Sequence, residues 1–135
     1  MLIGHIGDSR CYSYAEGQLL QITEDHSLVN QLMRAFDLSE QEALAKAGKN
    51  VLVQSIGTED EIVPQVKALR PKHPTTFLLC SDGLTDMVSD EEIETIFADN
   101  QNSLSKTGER LMKAANAAGG TDNISVILVQ IGSQK

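Results

Sequence analysis

Residues 75–86 read TTFLLCSDGLTD. The first six are β-branched or large and apolar, which predicts a buried strand over Thr75–Cys80. Ser81-Asp82-Gly83 halts it with turn-forming residues, and from Gly83 onward the chain reads as helical. Pro71 and Pro74 bracket Lys72-His73 as the turn that leads in. Downstream, Ser89 and Glu92 have capping-box spacing and open a helix to about Ala98. A longer helix follows over Ser103–Ala117, with Leu104, Leu111, Met112 and Ala115 on one face, and Gly119-Gly120 ends it. Asn123–Ile131 returns to strand.

Upstream, the apolar run Met1–Ile6 stops at Gly7-Asp8-Ser9. Cys11–Ala15 and Gln18–Thr23 read as two strands joined at Glu16-Gly17, so a three-stranded antiparallel meander is expected to open the chain. The period then changes. Leu28, Val29, Leu32, Met33 and Phe36 fall at helical spacing behind a Ser27 cap. A second short helix starts at Ser39, with Glu42 completing a capping box, and stops at Gly48. Strand signals resume at Val51–Val53 and Ile62–Leu69. Strands in a run with helices inserted and trailing predict an α+β domain, a mainly antiparallel sheet packed against C-terminal helices.

The chain has 135 residues, and 41% hydrophobic content is enough for one core. Lys+Arg 11 against Asp+Glu 19 gives a net charge of −8, with no basic run. That balance argues against nucleic acid or an anionic membrane surface as partner. No segment approaches the roughly 18 apolar residues of a membrane span. The N-terminal stretch lacks a signal peptide's basic start, and the two cysteines form neither a disulfide framework nor a zinc set; a cytoplasmic protein is expected.

Three acidic turns abut strands: Gly7-Asp8-Ser9-Arg10, Ser81-Asp82-Gly83-Leu84-Thr85-Asp86 and Gly119-Gly120-Thr121-Asp122-Asn123. Carboxylates on turns at a sheet rim can converge, and converging carboxylates need a cation. Their hard oxygens suit Mg²⁺ or Mn²⁺. Each turn also reads as an ordinary loop, since Asp-Gly and Asp-Asn are common turn dipeptides. Spacing alone leaves both readings open. Cys80 ends a buried strand beside carboxylates, which blunts it as a nucleophile; His26 reads as orienting the segment it precedes.

In order, HIGDSRCYSY, QLLQITEDHSLV, TTFLLCSDGLTDMVSDEEI and AANAAGGTDNISVILVQI resemble the C-terminal motifs of the metal-dependent protein phosphatases (PPM), the type 2C serine/threonine class. The bacterial branch looks closest, because Asp25-His26-Ser27 leads into a Leu/Val helix and Gln54-Ser55-Ile56-Gly57 falls where that branch has its flap. The resemblance implies that this chain, residues 1–135, is part of an α-β-β-α sandwich and corresponds to the C-terminal half of the catalytic domain. An arginine that grips phosphate, an acidic ligand and an Asp-Gly-x-Gly-Gly turn belong to the family's N-terminal half, which is not in this sequence. Asp82 and Asp122 would be metal ligands. Asp8 and Asp86, with Asp82, would form a third, weaker site. Gly83 would let backbone pass near the metals, and Asn123 and Arg10 would be structural supports. Residues from about 28 to 57 would form the flap, with Leu28, Phe36 and Gly57 on the substrate side. No residue of the chain is assigned as catalytic.

The implied reaction is hydrolysis of phosphoserine or phosphothreonine in proteins by a metal-activated water, with two or three Mn²⁺ or Mg²⁺ ions in the complete domain. The implied substrates are phosphoproteins made by a serine/threonine kinase, and an exposed sheet surface would favour a dimer. Two alternatives stay open: a non-catalytic binding module on a truncated phosphatase fold, and a sporulation or stress-response phosphatase acting on an anti-sigma antagonist.

Overall fold

The computed structural model describes residues 1–48, 51–57, 61–100 and 103–132. Its strands are β1 (Leu2–His5), β2 (Arg10–Ala15), β3 (Gln18–Gln21), β4 (Gln65–Ala68), β5 (Thr75–Cys80) and β6 (Val126–Ile131). Its helices are α1 (Leu28–Phe36), α2 (Glu40–Ala47), the short α3 (Asp82–Thr85), α4 (Asp90–Asp99) and α5 (Leu104–Ala117). They fall into two compact units: Met1–Asp8 with Glu24–Ala68, and Ser9–Thr23 with Leu69–Lys135.

The second unit holds a four-stranded antiparallel sheet in the order β3-β2-β5-β6. Register sets its faces. Tyr12 lies opposite Leu78, and Leu78 opposite Leu128, so all three side chains leave the sheet on one side. With Leu19, Tyr14, Cys80 and Val126 they meet Leu84, Val88, Ile93, Ile96, Phe97, Leu111 and Ala115 from the helical segments. The trailing helices thus cover that one face and close the core. The other face keeps Leu20, Leu79, Ile127 and Val129 exposed, at 63%, 40%, 62% and 41%. At the hairpin, Ala15 pairs with Gln18 across a two-residue loop, with Glu16 at φ 53 and Gly17 at φ 83. Positive φ at both central residues matches the twist of the strands.

In the first unit β1 pairs antiparallel with β4, from Leu2↔Ala68 to His5↔Gln65. This corrects the expected opening meander. Both edges of β2 are already filled, by β3 and by β5, so no edge is left for β1. Residues 51–53 also depart from expectation: they contribute a single bridge, Ser27↔Leu52, and not a strand. β4 is shorter than its apolar run because Pro64, just before it, has no N–H to donate. The helix starts follow the sequence. Ser27 Oγ accepts from Asn30 N, and Ser39 and Glu42 form the reciprocal capping box of α2. Among the described residues no helix is long and apolar enough to cross a membrane.

Candidate metal centre

β5 and β6 run side by side to Cys80↔Val126, and the chain beyond that pair stays zipped. Ser81 N donates to Ser125 O at 3.1 Å. Ser125 N donates to Ser81 Oγ at 3.0 Å, and that hydroxyl donates to Asn123 O at 2.9 Å. Gly83 completes the seam: a β-carbon there would lie 2.4 Å from Asn123 O and 3.4 Å from the carbonyl carbon of Asp122. Two acidic turns more than thirty-five residues apart in sequence are therefore held backbone to backbone, with Asp82 and Asp122 flanking the contact.

Asp82 is half-buried at the start of α3, where its Oδ1 accepts from Gly83 N at 2.9 Å. Asp86 N donates to Asp82 O at 2.8 Å, which places Asp86, exposed, one turn further along. Asp122 is exposed, and its Oδ1 accepts from Asn123 N at 2.6 Å. The Asp122 loop is braced twice more. α5 gives way to Gly119 and Gly120 at φ 137 and 54, and Gly120 N donates to Ala115 O at 3.1 Å. Thr121 Oγ1 lies 3.7 Å from Met87 Sδ, the residue after Asp86.

Asp8 belongs to the first unit, in the turn that closes β1. Gly7, at φ 99, is fixed there by His26: Gly7 N donates to His26 Nδ1 at 3.2 Å, and His26 N donates to Gly7 O at 2.8 Å. The His5 ring lies 5.1 Å from that of His26. Arg10 opens β2, and its Nη1 donates to Tyr12 Oη at 3.1 Å; Tyr12 Oη donates to Asp90 Oδ1 at 2.8 Å. In the 28–57 stretch Leu28 begins α1, Phe36 ends it with 67% exposure, and Gly57 sits at φ 92. Lys49 and Asn50 lie outside the described residues.

Sequence reasoning missed three parts of this arrangement. Ser81 reads from sequence only as a turn residue, whereas its hydroxyl bridges two loops; its place at the end of the ladder is the available signal. Neither the Thr121–Met87 contact nor the Tyr12–Asp90 bond has any signal in local spacing. The thiols are inert by burial, which raises Cys11 and pushes Cys80 up to about 12.

Among the described residues no three His, Cys, Asp or Glu side chains gather as a set that could hold a metal ion. The donors at the seam are nonetheless of the right kind for a hard cation. Asp82 and Asp122 supply carboxylate oxygens, and Gly83, with no side chain to intrude, keeps the two turns in contact.

Residues 1–125 match the family model described as protein phosphatase 2C. The protein phosphatase PhpP of Streptococcus pneumoniae is 43% identical over 133 residues, 98% of this chain and 54% of that protein. The structure of the S. agalactiae serine/threonine phosphatase superposes with a TM-score of 0.86 at 34% identity, covering 97% of this chain and 53% of the other. The catalytic domain of the serine/threonine protein phosphatase PstP, solved in complex with two manganese ions, superposes at 0.75 with 34% identity, over 96% of this chain and 53% of that one. The chain spans about half the length of the relatives it matches. With a family model over nearly its whole length and the antiparallel α+β fold of those neighbours, the chain belongs to the bacterial branch of the protein phosphatase 2C family, a metal-dependent family.

Proposed function

We propose that this chain supplies the C-terminal part of a metal-dependent protein serine/threonine phosphatase domain, and that its substrates are cytoplasmic phosphoproteins made by a serine/threonine kinase. The observation that carries the reading is the seam between Gly83 and the Asp122–Asn123 peptide, which brings two carboxylate turns to one place. Asp82 and Asp122 would hold Mn²⁺ or Mg²⁺, and Asp86 and Asp8 would complete a weaker site. Such ions, when bound, would supply an acidified water and neutralise charge on the phosphoryl group. The chain's own residues position. Ser81 and Asn123 lock the two turns together, Arg10 and Tyr12 brace the start of β2 against Asp90, and residues 28–57 form the flap, with Leu28, Phe36 and Gly57 towards substrate. The exposed face carrying Leu20, Leu79, Ile127 and Val129 is a surface on which a further sheet or a second copy would pack.

The test pairs binding with turnover. Titrated with Mn²⁺ in a calorimeter, the chain should bind weakly and Asp82→Asn should abolish the heat. A fusion to the N-terminal half of the S. agalactiae relative should hydrolyse a phosphothreonine peptide with Mn²⁺, while the chain alone stays near background. A folded fusion that is inactive, or as active with Asp82→Asn as without, refutes the assignment. Inactivity with intact metal binding favours the binding-module alternative.

A further inference from the structure

At the end of the second unit's sheet away from Cys80, a cleft of about 430 Å³ opens between the β2–β3 hairpin, the start of β5, the end of α4, the first turn of α5 and the end of β6. Tyr14 and Phe97 stack in its wall, ring centroids 4.9 Å apart, and both are buried, at 8% and 4% exposure. The Tyr14 hydroxyl has no hydrogen-bond partner among the described residues. The polar lining is otherwise neutral, Thr76, Asn100, Thr107 and Gln130, with one charged group, Glu16. The Glu16 carboxylate is largely exposed, with His73 Nδ1 3.9 Å away.

Glu16 stands out for its backbone. Its φ of 53 is a left-handed conformation that Asn or Gly adopts readily and a glutamate does not. A hairpin optimised only for folding would carry Asn there. Strain of this kind tends to be kept where the side chain has a use.

We propose that this cleft binds a small organic cation with an alkyl body, an alkylguanidinium or alkylammonium group. The alkyl part would lie against the Tyr14–Phe97 wall, and the cationic head would meet the Glu16 carboxylate and the side-chain oxygens of Asn100 and Gln130. No cationic side chain lines the cleft among the described residues, and the net charge of −8 draws cations to the whole surface. The site uses none of the residues assigned to the metal centre, so it stands or falls independently of it.

The probes are butylguanidinium chloride and its neutral isostere butylurea, titrated at matched ionic strength into the isotope-labelled chain and followed by NMR. Butylguanidinium should give saturable shifts at the amides of Tyr14, Thr76 and Gln130, and butylurea should bind at least about threefold more weakly, as expected for one exposed ion pair. Glu16→Asn should reduce the affinity by a similar factor while the melting temperature holds or rises, because Asn suits the turn. Glu16→Gln should weaken binding equally and keep the backbone strain. Equal binding of the two probes, shifts centred elsewhere, or undiminished affinity in both variants overturns the proposal.

Discussion

A β-carbon on Gly83 would stand 2.4 Å from the carbonyl oxygen of Asn123. Side chains do not approach a backbone oxygen so closely, and here the obstructing atom is itself backbone, already accepting from the Ser81 hydroxyl. Neither partner can swing aside. The distance between the Asp82 and Asp122 turns is thus set by the absence of a side chain at position 83.

Gly83→Ala should therefore push the two turns apart. Overpacking of this kind costs about 1–3 kcal/mol, so the melting temperature should fall by several degrees and Mn²⁺ binding should weaken with it. Thermal denaturation decides the first part; a variant that melts with the wild type shows that the seam opens freely.

Tyr12→Phe tests the brace at the start of β2. Tyr12 is fully buried, and its hydroxyl links Arg10 to Asp90 on the first turn of α4. Removing it strips one partner from each of two charged groups, at part-buried hydrogen bonds of the kind worth about 1–3 kcal/mol when one partner is charged. Urea unfolding should show a lower midpoint with an unchanged slope; a midpoint equal to wild type leaves the bond without energetic weight.

Much of this architecture is legible before any coordinates. Ser27, Ser39 with Glu42, Ser89 and Ser103 mark four helix starts, because a cap is a local bond within three residues of its own position. Thr75–Cys80 reads as a central strand because it has no polar face to offer water. Strand partners are not local. Nothing in Leu2–His5 shows that it will pair with Gln65–Ala68, and only the two occupied edges of β2 decide it. The candidate metal centre divides the same way. Its aspartates are visible as turn carboxylates, and the motif order shows the family, but the seam that joins Asp82 to Asp122 depends on what packs against Gly83.

The two units differ in how much they bury. Among the described residues, Val29, Ala43 and His5 are the buried side chains of the first, whereas the second buries Tyr12, Leu78, Leu84, Val88, Ile93 and Leu111 almost completely. Local opening energies follow buried apolar contact. In native-state hydrogen exchange the amides of α1 and α2 should exchange well before those of β5 and α5. Equal protection across the two would show that α1 and α2 open only with global unfolding.

The buried thiols give the chain an alkaline limit. Burial pushes Cys80 up to about 12, with the positive charge of Arg10 pulling partly the other way, and burial also raises Cys11 and Tyr12. An unfolded thiol ionises near 9. Between about 9 and 12 the folded chain keeps a proton at Cys80 that the unfolded chain has released, so stability falls as pH rises through that window and is untouched below it. Urea midpoints should be flat from pH 7 to the onset of that window and then decline, less steeply in Cys80→Ala, which has no thiol to ionise there. Tyr12 contributes to the same loss, so the slope should shrink in Cys80→Ala without vanishing. The same burial makes a kinetic statement: near pH 8 the native thiol is protonated and covered, and iodoacetamide should label Cys80 far more slowly than in urea. Native labelling at the denatured rate would mean that the end of β5 opens readily, and the seam beyond it with Asp82 would then not be held as described.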